Sequence, residues 1–526
     1  MALEHGARTV NELADYWAEQ RPDKVAYRFE GRATTFGEVR DRMEALARGL
    51  AAAGLGKGKR IAWVGKNSDW YFLLLFAAGR VGATLVPVGW RLAYPEMRFI
   101  VDDAEAEAIV ATPEFLETAQ KLTGEIEGVT TLFVSEGTAD VPSLEEIADA
   151  AAGDEAPPPP GREDGLVQLY TSGTTGNPKG VVLTHGNFLD LGADPDVEAP
   201  DWDQWSDQDS GLNPMPVSHI AGTGYGVVPF NMGAACTIAR EFDPGEILKL
   251  IDKKQATRFF LVPAALQMLI HHPDAANTDK THVTQVGYGA SPIPLELLRA
   301  CMKAFPNAGF VQSYGMTETT GAVCILPPED HDPDGNQRMR SAGKAMAGCE
   351  VKVVDTDGKE LPFGEIGEVV TRSPKNMAYY WKQPDKTAET VDDEGWLRTG
   401  DAGFMDEDGY VYIQDRIKDL IITGGENVYP AEVENVLYSH PAVFDAAVIG
   451  VPDEIWGEAI KAVIVKQPGQ ELSEDELIAW TREQIAGFKT PKSVDFVAAL
   501  PRNPSGKILR RELRAPYWEG KERQVN

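Results

Sequence analysis

Apolar residues recur every three to four positions from Phe36 to Gly54 (FGEVRDRMEALARGLAAAG), which predicts an amphipathic helix stopped by the glycine. Other runs follow a different rule. RIAWVG at 60–65 and TLVPV at 84–88 are short, unbroken apolar stretches of the kind that strands buried on both faces require. LVQLYTSG, starting at Leu166, reads the same way, and the four prolines at 157–160 stiffen the connector ahead of it. Helical and strand patterns thus alternate, which predicts an α/β protein. Past residue 416 the character changes to short strands (AAVIGV, KAVIVK), a helical run (SEDELIAWTREQIAGF) and a basic end (KILRRELR). We therefore expect a large N-terminal domain, 1–416, and a small C-terminal one, 417–526, with no repeat of fixed period.

Composition leaves this picture standing: 43% hydrophobic and 25% charged residues are ordinary for a globular enzyme. Charge adds a constraint. With 81 acidic against 50 basic side chains the chain carries −31, which repels polyphosphate and argues against nucleic acid as a partner. An anionic substrate would need positive groups concentrated at its site. The longest apolar segment, Trp70 to Ala78, falls far short of the ~18 residues a spanning helix needs, and Arg80 follows it. No secretory signal is visible, so a soluble, cytoplasmic protein is expected. The four cysteines, Cys236, Cys301, Cys324 and Cys349, form no metal or disulfide pattern and are expected as buried free thiols.

Candidate chemistry is concentrated at 170–180, YTSGTTGNPKG. Glycines at 173, 176 and 180 allow tight turns. Backbone N–H groups and the hydroxyls of Thr171, Ser172, Thr174 and Thr175 can surround phosphate oxygens, with Lys179 as a point charge. Pro178 before the lysine distinguishes the segment from a Walker A loop.

This segment resembles the phosphate loop of the adenylate-forming superfamily, which includes acyl-CoA synthetases, luciferases and peptide-synthetase adenylation domains. Four further motifs of that family follow in order: QSYGMTET at 312–319, WLRTGD at 396–401, DRIKDLIITGGENVYPAEVE at 415–434 and NPSGK at 503–507. The resemblance runs from TTFGEV at 34–39 to RRELR and is greatest to bacterial fatty-acyl-CoA ligases. It implies a large domain of α/β subdomains with mixed sheets and a β-barrel-like part, and a small, mobile α+β C-terminal domain. It implies ATP, Mg²⁺ and coenzyme A as cofactors, and two steps. A carboxylate first attacks the α-phosphorus of ATP to give an acyl-adenylate, and a thiol then displaces AMP.

Residue by residue, the resemblance makes Thr171, Ser172, Gly173, Thr174, Thr175, Gly176 and Lys179 the phosphate loop, and Glu318 with Thr174 the Mg²⁺ ligands. Gly289, Ala290 and Ser291 of GYGASP would pass along adenine and the acyl chain, and Gln312, Ser313, Tyr314, Gly315, Met316 and Thr317 would complete the nucleotide wall. Tyr314 would stack on adenine and Thr317 meet the α-phosphate. Asp401 would accept the ribose hydroxyls, flanked by Ile413 and Arg416. Lys418 falls at the hinge, and Gly424, Gly425 and Glu426 match the loop lining the pantetheine tunnel. Lys507 matches the lysine that crosses the domain interface to the substrate carboxylate and α-phosphate. His219, in an HxxG motif, sits beside the acyl and thiol path. The catalytic set is thus Lys507, Thr174, Lys179, His219 and Glu318.

The small residues Gly222, Thr223, Gly224 and Gly226 suggest a pocket left open for a chain or ring. No aspartate stands in PVSHIAGTGYGVVPF to pair an α-ammonium, so the expected substrate is an apolar carboxylic acid, first a medium- or long-chain fatty acid. Aryl, phenylpropenoid and steroid-side-chain acids stay open, as do a non-CoA acceptor and a homodimer. Ala378 in MAYYW departs from the family's glycine. The basic cluster Lys507, Arg510, Arg511 and Arg514 is either a CoA-phosphate contact or a solvated helix face.

Overall fold

A computed structural model describes residues 6–137, 140–151, 158–171, 178–190, 200–502 and 507–519, without the side chain of Lys418. Two large sheets share its body. The seven-stranded one runs Tyr379–Tyr380, Lys179–Thr184, Gly165–Thr171, Thr84–Val88, Arg60–Val64, Ala108–Ala111, Thr131–Val134, parallel from the third strand onward. The nine-stranded one is parallel from Gly309–Met316 through Gln285–Gly289, Arg258–Leu261, Ser210–Asn213 and Ala235–Ile238 to Val25–Phe29. Antiparallel strands close its ends. The continuous apolar runs at 60–64 and 84–88 are buried at every position, as strands covered on both faces must be.

The apolar segment 70–78 is the middle of a helix, Asp69–Arg80, whose residues up to Gly79 are all buried. It packs with helices Val10–Gln20 and Phe36–Ala52 between the sheets. A helix apolar all round belongs at the centre of a large core, which is why this segment lacks the one-sided period of 36–54. Tyr27 of the nine-stranded sheet lies stacked between Phe72 and Phe230, with ring centroids at 5.3 and 5.7 Å. Each buried ring contributes ~1.5–3 kcal/mol by leaving water. The predicted helix stop holds: Phe36–Ala52 begins with a Thr35–Glu38 capping box, and Gly54 follows at φ 76°.

A third sheet, Glu350–Val354, Gly367–Arg372, Trp396–Met405, Val411–Arg416, is antiparallel and open. The barrel-like part is therefore not a closed barrel: the two edge strands do not pair with each other among the described residues. The C-terminal part is a five-stranded sheet built on the long pair Val443–Asp453 and Gly457–Lys466, with helices Pro430–Tyr438, Glu474–Arg482 and Arg510–Trp518 against it. Its buried core is separate from those of the large sheets. No helix among the described residues is long and apolar enough to cross a membrane. All four cysteines are free; Cys236, Cys301 and Cys324 are buried, and Cys349 is half-buried.

Asn67 ties the two large sheets together. Following strand Arg60–Val64, its amide donates to the carbonyls of Met215 and Ala239, both at 3.0 Å, and accepts the Val217 N–H at 3.0 Å. Asn67→Ala leaves three buried backbone groups unpaired, at ~1–3 kcal/mol each. The expected result is a loss of at least about 3 kcal/mol, read as a lower urea midpoint by tryptophan fluorescence.

Candidate active site

Where the sheets and the C-terminal part meet there is a cleft of about 1960 Å³. Strand ends and their following turns line it. From the nine-stranded sheet come Gly289, Ala290 and Ser291, then Gln312 to Glu318; from the third sheet, Asp401, Ile413 and Arg416; from the seven-stranded sheet, Thr171; from the C-terminal part, Lys507. Ser218 and His219 complete the wall at the head of helix Ile220–Asn231. Ligand crevices at the carboxyl ends of parallel strands are the general rule for open α/β sheets.

The backbone there is tightly specified. A Cβ on Gly289 would lie 2.1 Å from the Ser313 carbonyl oxygen, and Ala290 adopts φ 65°, a left-handed conformation rare for alanine. Strain of this sort persists where the surroundings over-determine it.

Two tyrosine–carboxylate pairs and one ion pair organise the polar wall. Asp401 and Arg416 sit opposite each other in strand register, and Arg416 Nε lies 2.7 Å from Asp401 Oδ1. The Tyr314 hydroxyl donates to Asp401 Oδ2 at 2.6 Å. Burial and the Asp401 carboxylate raise the Tyr314 phenol well above its ordinary pKa, so it stays a donor. Glu318 is buried in the 3₁₀ turn Thr317–Thr319, and the Tyr380 hydroxyl donates to its Oε1 at 2.8 Å. Lys179 Nζ stands 4.6 Å from the centre of the Tyr380 ring. Tyr380 lies in the MAYYW stretch, where nothing in the local sequence marks it as a partner of Glu318. Ala378 itself is exposed and does not have a positive φ, so the turn has no need of glycine.

These groups fit a Mg²⁺–nucleotide. A buried carboxylate suits an ion that keeps waters and phosphate oxygens as its other ligands. Among the described residues no cluster of three or more His, Cys, Asp or Glu could hold a metal by itself. Ser172, Gly173, Thr174, Thr175 and Gly176 lie outside the described residues; Thr171 and Lys179 frame them on paired strands.

His219 reaches the cleft with its Nε2 buried and without a hydrogen-bond partner among the described residues. Burial first, then the charges of Lys507 and Arg91, push its imidazole down to about 4. These causes favour the neutral imidazole at physiological pH.

Other expectations fare differently. Gly222, Thr223, Gly224 and Gly226 do not line the cleft. A Cβ on Gly222 would meet the Pro216 carbonyl oxygen at 2.2 Å, and one on Gly226 would meet Phe72 at 2.1 Å. Thr223 is held by Tyr71 and the Val217 carbonyl. Gly222 and Gly226 are small because the helix packs closely at those two positions, not to leave a pocket, whereas a Cβ on Gly224 would make only ordinary contact, 3.5 Å from Ile220. Gly424, Gly425 and Glu426 form a hairpin turn between Ile421–Thr423 and Glu426–Val428 and stand apart from the cleft. Lys418 lies on the turn Ile417–Asp419, its side chain outside the described residues. Arg510 belongs to neither reading of the basic cluster: it is paired with Glu434.

A two-sheet α/β body joined to a small α+β unit, with such a cleft at the junction, is the architecture of an adenylate-forming enzyme. The AMP-binding enzyme family model matches residues 14–381, and the AMP-binding enzyme C-terminal domain model matches 432–507; the chain belongs to this family. It is 41% identical over 519 residues to the fatty acid–[acyl-carrier-protein] ligase ScoC of Streptomyces coeruleorubidus, covering 99% of this chain and 98% of that protein. It is 39% identical over 503 residues to a feruloyl-CoA synthase of an Amycolatopsis species, covering 95% and 97%. The crystal structure of ATP-bound MatB from Rhodopseudomonas palustris superposes with a TM-score of 0.85 at 31% identity, covering 98% of this chain and all of that one. Within the family the chain is an acid–thiol ligase, a class that uses ATP, Mg²⁺ and CoA.

Two outcomes test the site. Tyr380→Phe removes a hydrogen bond to a carboxylate, worth ~1.5–3 kcal/mol, so ATP–pyrophosphate exchange falls at least about tenfold and needs more Mg²⁺ for half-saturation. Because burial lowers the His219 pKa, protonation occurs only near pH 4. The exchange rate of wild type and His219→Asn should therefore share the same shape between about pH 5.5 and 8, with no imidazole inflection unique to wild type.

Proposed function

We propose that the protein is an ATP-dependent carboxylic acid:CoA ligase that works in the cytoplasm through an acyl-adenylate, with a medium- or long-chain fatty acid as substrate. The observation that carries this reading is the convergence of Lys507, Thr317, Glu318, Tyr314 and Asp401 on one cleft from separate parts of the chain. Lys507 offers a flexible cation to the acid carboxylate and the α-phosphate oxygen. Glu318, held by Tyr380, would hold Mg²⁺, and the ion would supply positive charge against the phosphate oxygens of ATP. Asp401, held by Tyr314 and Arg416, receives the ribose hydroxyls. Catalysis in this step is positioning plus charge stabilisation.

The second step needs a thiol at the acyl carbonyl. Gly424 and Gly425, with φ 62° and 83°, lie on the C-terminal part away from the cleft, while Lys507 is in it. This supports a pose made for adenylate formation, from which the C-terminal part, 417–526, turns about Lys418 to bring the glycine loop to the thiol path. Fatty acid as the substrate is supported by the likeness to ScoC and by Leu92, Phe99, Ile100, Ile293, Leu295 and Leu297 along the cleft. ScoC also favours a second reading of the acceptor, a carrier-protein phosphopantetheine in place of CoA. The feruloyl-CoA synthase favours a phenylpropenoid acid.

The test is ATP–pyrophosphate exchange over acids from acetate to palmitate, with benzoate, ferulate and a bile acid, followed by AMP release with CoA or with holo acyl carrier protein. Exchange with C8–C16 acids and CoA-dependent AMP release is expected. AMP release with the carrier protein alone would establish the second acceptor, and exchange with ferulate alone the other acid. Lys507→Ala should lower exchange at least about 100-fold, the ~3 kcal/mol scale of one lost charge contact in a phosphoryl-transfer site. It should leave thioester formation from supplied acyl-adenylate within about threefold of wild type. Equal losses in both steps would refute the role of Lys507.

A further inference from the structure

The helix that follows Lys507 starts at Arg510, whose guanidinium sits in a nest of carboxylates. Its Nη2 donates to Glu434 Oε1 and Oε2 at 2.9 and 2.8 Å. Its Nη1 stands 3.9 Å from both Asp415 Oδ1 and Asp419 Oδ2, and one turn on, Arg514 Nη2 is 3.7 Å from Asp419 Oδ1. Glu434 also accepts the Val448 N–H at 2.8 Å. Arg510, Glu434 and Val448 all belong to the C-terminal part and would move as one body.

Asp415 is the exception. It lies on strand Val411–Arg416 of the third sheet, ahead of the turn Ile417–Asp419. Yet its Oδ2 accepts the N–H of Ala431, in the first turn of helix Pro430–Tyr438, at 3.0 Å. That helix has no side-chain cap of its own at Tyr429. A carboxylate from the other side of the junction supplies the cap, where the helix dipole favours negative charge. Ala431 and Arg510 lie beyond residues 417–418 and Asp415 ahead of them, so a turn of the C-terminal part about those residues changes these contacts. It leaves the Arg510–Glu434 pair intact, so no buried guanidinium is stranded when the contact opens.

We propose that Asp415 is a positioning residue for adenylate formation: a carboxylate latch, closed by the Ala431 N–H and Arg510, that keeps Lys507 in the cleft and must open before thioester formation. The proposal rests on the two-step reading above. Burial first, then Glu434 and Asp419, push the Asp415 carboxyl up to about 6, while Arg510 and the Arg416 N–H oppose the rise. Arg514 and Tyr429 are the other ionisable groups nearby. The carboxylate is present above about pH 6 and is protonated below it, so acid weakens the latch.

The test compares wild type with Asp415→Asn, an isosteric change that keeps a cap acceptor and favours folding. Spin labels at the exposed positions of Glu117→Cys and Glu471→Cys, in a Cys349→Ser background, report the distance between the two parts by pulsed electron resonance. Wild type at pH 7.5 should show one dominant distance. Asp415→Asn, or wild type at pH 5.5, should move population to a second distance, with unchanged far-UV circular dichroism. An unchanged distribution overturns the latch. With dodecanoate, Asp415→Asn should lower pyrophosphate exchange about tenfold and leave CoA transfer from supplied dodecanoyl-adenylate equal or faster. Exchange in wild type should fall as pH drops through about 6, and the variant should lack that fall. Equal losses in both steps, with wild-type distances, indicate a merely structural Asp415 and refute the proposal. If wild type exchanges with no acid, the two-step reading fails, and the distance measurement still decides whether Asp415 holds the pose.

Discussion

The cleft depends on Asp401 being held from two directions. Arg416 pairs with it across the third sheet, and Tyr314 reaches it from the nine-stranded sheet. A buried carboxylate is costly unless its lone pairs are met, and here both partners satisfy it while joining two sheets that share no strand. Backbone bonds between Val411 and the 342–343 segment join the same two sheets, and the Asp401 contacts add a polar tie at the cleft itself. Tyr380 repeats the device at Glu318, with the seven-stranded sheet as the third party. Each large sheet therefore lends a polar group to the cleft through a tyrosine–carboxylate bond.

Electrostatics follow from this construction. The chain is strongly acidic, so an anionic nucleotide must find its positive potential locally. Lys507 and Arg416 line the cleft, and Lys179 stands over the ring of Tyr380 beside it. Many other cations are spent on neighbouring carboxylates, Arg510 on Glu434 among them. A site assembled from two bodies can also be disassembled, which a two-step reaction requires. Among the described residues Asp415 is a point where that junction is bonded, through the Ala431 N–H and the Arg510 guanidinium.

Much of this was legible in the residues. Alternating periodicities named the α/β class, and the ordered motifs from 170 to 507 named the family, because phosphate and ribose contacts need particular residue types at short spacing. The strands at 60–64 and 84–88 and the helix from Phe36 fell where their patterns put them. The reading of Gly222 and Gly226 as an open pocket failed for a physical reason. A glycine looks the same whether it faces empty space or an atom that a Cβ would approach to about 2 Å, and only the Pro216 carbonyl and the Phe72 ring tell the two apart.

What the sequence determined by itself is local: which segments are strands or helices, where the helix from Phe36 stops, and which residue types can meet phosphate, ribose and metal. What tertiary structure decided is partnership across distance. Tyr380 meets Glu318 across 62 positions, Tyr314 meets Asp401 across 87, and Asp415 caps a helix in the other part of the molecule. It also decided that Lys507 is in the cleft while the Gly424 loop is not. Side-chain spacing encodes neighbours within a turn or along a strand. Contacts between sheets and across a hinge depend on how whole layers pack, and no short motif carries that information.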